Sequence, residues 1–236
     1  MAILITYPKN KVPVYWRIKL EQKDDVIYFP FRILKAVDLT PKSKKILQNS
    51  KVLAITSLFG ARVFCDQLKT LNSTATIFVL SKKIKQSLEK KVTNPIQIAP
   101  SENRKSLLEE LKNKHVTDVC WLIGDKAEKY YSDFYGRKIV VYKNTWDKQH
   151  EGKALKIFMK QHITSALVTS ISNFNRMFEI MTRVDSNEYR NINYYVLGKN
   201  TGNYIQEKGL KVIYPDRGKC VLENVLDNLW HYEREN

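Results

Sequence analysis

One short pattern occurs once in each half of this chain, and no other feature constrains the fold as much. The first copy, Val52-Leu53-Ala54-Ile55-Thr56-Ser57, is an apolar run ending in Thr-Ser before a helix-like segment. The second, Ala166-Leu167-Val168-Thr169-Ser170, ends the same way. Downstream of each, another apolar run closes in Val-Leu and a small residue, Val79-Leu80-Ser81 and Val196-Leu197-Gly198. A third run then ends in proline, Ile96-Gln97-Ile98-Ala99-Pro100 and Lys211-Val212-Ile213-Tyr214-Pro215. Two similar α/β halves predict a cleft between them, the kind of place where small molecules bind.

Strand-like runs rich in Val, Ile and Tyr punctuate the chain. They are Ala2–Thr6, Val26–Phe31, Val52–Thr56, Thr76–Leu80, Ile96–Ala99, Val119–Ile123, Lys138–Tyr142, Ala166–Thr169, Ile192–Leu197 and Lys211–Tyr214. Stretches with helical periodicity lie between them, among them Leu58–Leu71, Lys82–Lys91, Arg104–Lys114 and Ser172–Arg183. This alternation predicts α/β architecture. Short apolar runs without strict alternation predict strands buried on both faces of largely parallel sheets.

The first repeat is complete between Lys35 and Tyr142, whereas the second lacks its two opening strands. Ala2–Thr6 and Val26–Phe31 are available to supply them. The expected organisation is therefore a discontinuous α/β domain of residues 1–34 plus 148–236 and a second of residues 35–147. Two antiparallel connectors, near 31–38 and 142–148, would join them as a hinge.

A length of 236 residues and a hydrophobic content of 43% suit two ordinary cores. No apolar run reaches the roughly 18–20 residues of a membrane-crossing helix. The start, Met-Ala-Ile-Leu-Ile-Thr-Tyr-Pro, reads as a first strand and lacks the basic region of a signal peptide. Cys65, Cys120 and Cys220 are odd in number, far apart and set in apolar surroundings. They read as buried, reduced thiols, so a cytoplasmic location is expected.

The balance of 40 Lys+Arg against 24 Asp+Glu, a net +16, predicts an anionic partner. Lysines scattered along every helix-like segment, and the lack of a helix-turn-helix, zinc-finger or ribonucleoprotein motif, weaken nucleic acid as that partner. A merely solvated surface accounts for the charge equally well.

Thr-Ser at the end of a parallel strand places hydroxyls and unpaired backbone amides at a helix N-terminus, an anion-binding arrangement. Ser57 with Leu58 and Phe59, and Ser170 with Ile171 and Ser172, are the two candidates; ordinary helix capping explains the same residues. Gly198-Lys199-Asn200-Thr201-Gly202 follows a strand and precedes a helix-like stretch from Tyr204 to Lys208. Gly198 reads there as a tight turn and Thr201 as a hydroxyl beside free amides, but neither GxxxxGK[ST] nor GxGxxG is present. Gly209 reads as a helix C-cap. His115, His150, His162 and His231 have no metal-ligand spacing, and no GxSxG elbow exists. Neither metal nor cofactor is expected, and an enzyme built this way would work by binding and positioning.

The ordered set Ala54-Ile55-Thr56-Ser57, Leu122-Ile123-Gly124-Asp125-Lys126, Val140-Val141-Tyr142-Lys143-Asn144-Thr145, Leu167-Val168-Thr169-Ser170 and Val196-Leu197-Gly198-Lys199-Asn200-Thr201-Gly202 resembles the uroporphyrinogen-III synthase family. Each piece is short; the order and spacing across nearly the whole chain carry the resemblance. It implies two α/β domains, the first discontinuous, joined by a two-stranded connector. It also implies a cofactor-free lyase of tetrapyrrole and heme biosynthesis whose partner is hydroxymethylbilane. Nothing in the sequence suggests an oligomer, so a monomer is expected, with no nucleic acid or membrane partner. The substrate would lose its terminal hydroxyl and close with ring D inverted through a spiro intermediate.

The same resemblance implies roles for single residues. Tyr142 would hydrogen-bond the departing hydroxyl, or else plug the hinge. Thr201, Ser57 and Ser170 would meet substrate carboxylates, as would Lys126 unless it is simply solvated. Ser81 and Ile84 stand where the family often has glycine and threonine, and Gly202 where it has alanine. A binding protein that has kept the fold but not the reaction, and a basic nucleic-acid-binding module, are the alternatives.

Overall fold

The structure, a computed structural model, describes residues 2–22, 24–131, 134–185, 187–216 and 220–235, without the side chains of 128–130 and 232–235. The chain opens with β1 (Ala2–Ile5), α1 (Val14–Glu21) and β2 (Asp25–Tyr28). It continues through β3 (Ile33–Ala36), α2 (Pro41–Asn49), β4 (Val52–Ile55), α3 (Leu58–Val63), β5 (Thr76–Val79), α4 (Lys82–Glu89), β6 (Ile96–Ile98), α5 (Arg104–Asn113), β7 (Cys120–Gly124) and β8 (Arg137–Thr145). The return comprises α6 (Lys148–Lys160), β9 (Ile163–Val168), α7 (Ile171–Val184), β10 (Asn193–Val196), α8 (Lys199–Gln206), β11 (Val212–Ile213) and α9 (Val221–Glu235).

Two compact units result, residues 1–32 with 146–236 and residues 33–145. The β3–β8 ladder is antiparallel and runs from Ile33↔Thr145 to Ala36↔Tyr142, which keeps both ends of that pairing in the second unit.

The first unit carries a sheet ordered β11-β10-β9-β1-β2, all parallel. The N-terminal β1 and β2 thus complete a sheet that the C-terminal segment begins. In the second unit the order is β3-β8-β7-β4-β5-β6, parallel except for the edge strand β3. Replacing β4, β5, β6, β7 and β8 by β9, β10, β11, β1 and β2 converts one order into the other. One unit is therefore a circular permutation of its counterpart, which explains why the sequence repeat is incomplete in its second copy.

Strand side chains alternate between two buried layers, as parallel sheets covered on both faces require. In the first unit Leu4, Ala166, Val168 and Tyr194 pack with Phe158, Phe174 and Met177 of α6 and α7. Ile3, Ile5, Leu167 and Tyr195 face Trp16 and Leu20 of α1 and Leu226 and Leu229 of α9. The second unit divides similarly. Leu53, Ile55, Ile77 and Leu122 pack against α2, α3 and α4, while Ala54, Phe78 and Trp121 pack against Leu107 and Leu111 of α5.

Three local expectations need correction. The helix expected over Leu58–Leu71 is α3 followed by a π-helical segment, Phe64–Leu68, in which Phe64, Cys65 and Leu68 are all buried. The expected loop at Gly198–Gly202 is the first turn of α8, because Gly202 and Ile205 are buried and anchor that turn. Cys65 and Cys120 are buried but Cys220 is exposed, since it precedes α9 outside the sheet layers. Gly209 has φ +74, the left-handed conformation of a C-cap glycine.

Candidate active site

In an open parallel sheet, the crevice for a ligand lies beyond the carboxyl ends of the strands, where the winding reverses. In the second unit the reversal falls between β4 and β7, so the Thr56-Ser57 end of β4 lies beside the Ile123-Gly124 end of β7. In the first unit it falls between β9 and β1, where Thr169 and Ser170 meet Thr6. Both Thr-Ser pairs of the repeat thus stand at switch points.

At the second unit's edge, Ser57 is the N-cap of α3 and its hydroxyl accepts the Gly60 N–H at 3.0 Å. Leu58 is exposed, and Phe59 packs edge-on to Tyr142 with ring centroids 5.1 Å apart. Tyr142 arrives by way of a bulge. The β7–β8 register steps from Ile123↔Val140 to Gly124↔Tyr142, so Tyr142 stands opposite Gly124. Bulges of this kind re-aim side chains beside active sites. The absence of a Cβ at Gly124 leaves room for the half-buried Tyr142 ring.

Lys126 is mostly exposed, 3.7 Å from Asp125. The other Asp125 oxygen accepts the Asn144 N–H at 2.9 Å. Lys126 is thus paired within the chain and does not share the ring cluster of Tyr142 and Phe59.

Reasoning from sequence missed Tyr131. It is buried, and its pKa is raised, chiefly by that burial, with the Thr56 side chain acting in the opposite direction. It lies in a segment with no periodic signal, so only the Thr56 of the repeated motif pointed to the spot.

The first unit's edge holds a denser polar network. The Thr169 N–H donates to the Thr6 hydroxyl at 3.1 Å, and the Thr169 hydroxyl to the Thr6 carbonyl at 3.2 Å. Asn173, fully buried, donates its amide to both the Thr169 hydroxyl and the Thr6 carbonyl, at 2.6 and 3.2 Å. Ser170 caps α7 by accepting the Asn173 N–H at 3.3 Å, and its hydroxyl lies 3.2 Å from that of Ser172. Ile171 is the first residue of the helix. These bonds tie β1 to β9, strands from opposite ends of the chain, at their carboxyl ends.

Beyond β10, the structure overturns the turn expected at Gly198. Its φ is −171, extended backbone open to any residue, and a Cβ there would meet nothing. Gly198 is instead the N-cap of α8 and provides no side-chain acceptor, and Thr201 sits in the first turn. The corresponding α4 is closed by the chain itself. Ser81 accepts the Ile84 N–H at 3.3 Å, and the Glu102 carboxylate accepts the Lys82 N–H at 3.0 Å. Ser81 and Ile84 thus belong to an internally capped helix.

Three of the four histidines form surface pairs: His150 with Asp147, His162 with Glu188 and His231 with Asp227. Among the described residues, no group of three or more His, Cys, Asp or Glu could hold a metal ion. Nor is any helix among them long and apolar enough to cross a membrane.

The family model for uroporphyrinogen-III synthase HemD matches residues 26–218, most of the chain and both switch-point motifs. The chain belongs to the uroporphyrinogen-III synthase family. Its fold agrees. A mutant uroporphyrinogen III synthase from Thermus thermophilus is similar at TM-score 0.63 and 13% identity, covering 100% of both chains. The uroporphyrinogen-III synthetase of Helicobacter pylori is similar at TM-score 0.63 and 14% identity, covering 98% of this chain and 99% of that one. No curated protein matches by sequence. Membership in the uroporphyrinogen-III synthase family places the chain among the lyases of porphyrin and heme biosynthesis, acting on the small molecule hydroxymethylbilane.

Proposed function

We propose that this chain closes hydroxymethylbilane to uroporphyrinogen III with ring D inverted, and that it does so by positioning a flexible polycarboxylate. Tyr142 donates a hydrogen bond to the terminal hydroxyl as it leaves as water. The azafulvene cation left behind is attacked by the substituted carbon of ring D, and the spiro intermediate fragments and recloses. The leaving hydroxyl takes up one proton, delivered through the phenol from solvent, and one is released when the ring rearomatises after closure; every carbon–carbon and carbon–oxygen bond that changes belongs to the substrate, so the protein's main task is to decide which carbon is presented.

Substrate carboxylates are taken by the strand-end edges of both units. Ser57 and the amides of Leu58 and Phe59 serve in one; Ser170, Ile171, Ser172, Gly198 and Thr201 serve in the other. The net charge of +16 draws such a polyanion in, and Lys126 contributes as a cation at the rim. The observation that carries the reading is the seating of Tyr142 over Gly124 by the β8 bulge, beside the Thr56-Ser57 switch point. Each edge is formed within one chain, which supports a monomer, and the biosynthetic family to which the chain belongs is the support for placing it in the cytoplasm.

The test is to supply freshly prepared hydroxymethylbilane and resolve the oxidised isomers. Type III product is expected; type I alone, as in a control without protein, would reduce the chain to a binding protein of the same fold. Tyr142→Phe should lower kcat by about ten-fold or more while leaving the fold intact. Unchanged turnover would remove the phenol from the mechanism.

A further inference from the structure

We propose that Asn173 is the positioning residue of the first unit's strand-end edge, its buried amide fixing the turn that presents Ser170 and the amides after it to a substrate carboxylate. The inference rests on the reading above, that substrate carboxylates dock at this edge. Asn173 stands in the first turn of α7, where its backbone N–H donates to the Ser170 hydroxyl at 3.3 Å. Its side-chain amide donates to the Thr169 hydroxyl at 2.6 Å and to the Thr6 carbonyl at 3.2 Å. One residue thus holds the cap, the residue before the cap and the end of the neighbouring strand.

Asn173 is 0% exposed and Thr6 1%, so water does not compete for these bonds. The amide oxygen of Asn173 accepts no hydrogen bond among the described residues. The reverse orientation would set that oxygen against the Thr6 carbonyl, so the two donor bonds fix the amide. Burying an amide with its oxygen unpaired costs stability. An apolar side chain would serve packing better; what the amide supplies is a defined geometry for the turn.

The second repeat shows that capping alone does not require it. Gly60 occupies the same place after Ser57 and donates its N–H to that serine at 3.0 Å. Leu122 pairs with Ile55 and so holds the place of Thr6, which follows the Ile5↔Leu167 pair. A Cβ at 60 would stand 3.6 Å from the Leu122 carbonyl oxygen. Positions 60 and 173 therefore face the same strand-end acceptor, and only Asn173 has a side-chain donor for it.

The experiment measures KM and kcat with hydroxymethylbilane for the full chain, Asn173→Ala, Ser170→Ala and their double variant. Asn173→Ala should raise KM about ten-fold with kcat within about two-fold, the pattern of lost binding. Ser170→Ala should raise it about three-fold and the double variant about ten-fold, since the second change removes a contact already misplaced. Ile180→Ala opens a cavity in the core about two turns further along α7 and should leave KM unchanged. An unchanged KM in Asn173→Ala overturns the inference. So does an equal rise in Ile180→Ala, or a rise of about thirty-fold in the double variant, the product of independent effects.

If Asn173→Ala does not fold, Thr169 decides. Thr169→Val removes the hydroxyl that Asn173 bonds and should raise KM about ten-fold, whereas Thr169→Ser keeps it and should stay within about two-fold of wild type. Equal KM values in these two variants overturn the inference. Failure of the functional reading is recognised separately, as type I product from the wild-type chain. Fluorescence titration with uroporphyrin, an octacarboxylate, then takes the place of KM. A Kd about ten-fold weaker in Asn173→Ala or, failing that, in Thr169→Val supports the positioning role; affinities equal to wild type overturn it.

Discussion

The ring of Tyr142 lies across Gly124, so close that a Cβ at position 124 would stand 2.5 Å from Cζ and 2.8 Å from the phenolic oxygen. Ring position and glycine are one device, because the β8 bulge brings Tyr142 opposite the one residue type that can receive it. Gly124→Ala should displace the ring, lowering kcat at least as far as Tyr142→Phe does and costing about 1–3 kcal/mol of stability. Kinetics and denaturant unfolding of the two variants check this. Wild-type kcat in Gly124→Ala would show that the ring's seat does not matter to turnover.

Gly202 and Tyr214 repeat the relationship in the first unit. A Cβ at 202 would lie 2.6 Å from Tyr214 Cζ, and the Tyr214 hydroxyl bonds Asn203 at 3.0 Å and Gln206 at 3.2 Å, strapping α8 down. The close Tyr214 ring is what calls for glycine at 202. Gly202→Ala should destabilise by about 1–3 kcal/mol. Combined with Tyr214→Ala it should cost clearly less than the sum of the single changes, since the second removes what the first strikes. Strict additivity in the double-mutant cycle would refute the coupling.

The switch-point serines carry two assignments, cap and carboxylate site, and one substitution separates them. Ser170→Ala loses the bond to Asn173 and should cost about 1 kcal/mol. Ser170→Asp retains a good N-cap and suits the helix dipole, so stability should stay within about 0.5 kcal/mol of wild type. Its added negative charge should still raise KM for a polycarboxylate. An unchanged KM in Ser170→Asp would leave Ser170 a cap and nothing more.

The strand pattern was legible because buried parallel strands announce themselves as short apolar runs, and every run expected from sequence overlaps a strand of the structure, whereas β3 (Ile33–Ala36), the antiparallel edge strand, was expected only as a connector. Even the permuted topology could be inferred, since Ala2–Thr6 and Val26–Phe31 were the strands missing from the second repeat. What escaped depends on tertiary contacts. The helical Gly198–Gly202 turn is decided by the burial of Gly202 under Tyr214, against its loop-like composition. Of the site, the Thr-Ser pairs and Tyr142 were readable as motif. Tyr131 and the Thr6–Asn173 network were not, because each depends on residues far apart in sequence meeting at the edge of its own sheet.

The cysteines provide a prediction in which location and ionisation agree. Burial raises the thiols of Cys65 and Cys120 above the ordinary value, and Cys120 is pushed up to about 11. At pH 8 about one Cys120 in a thousand would be ionised, and thiolate is the reactive form. Cys220 is exposed. The native chain should therefore show one fast-reacting thiol with a disulfide reagent, lost in Cys220→Ser, while denaturant exposes all three. The same shift sets a sign for stability. Because the folded state holds the Cys120 proton more tightly than the unfolded chain does, its contribution is fully present below the unfolded pKa of about 9. It is lost as pH rises from there towards about 11. Fast modification of more than one thiol in the folded protein, or stability that climbs through that alkaline window, would contradict the burial of Cys120 on which both expectations depend.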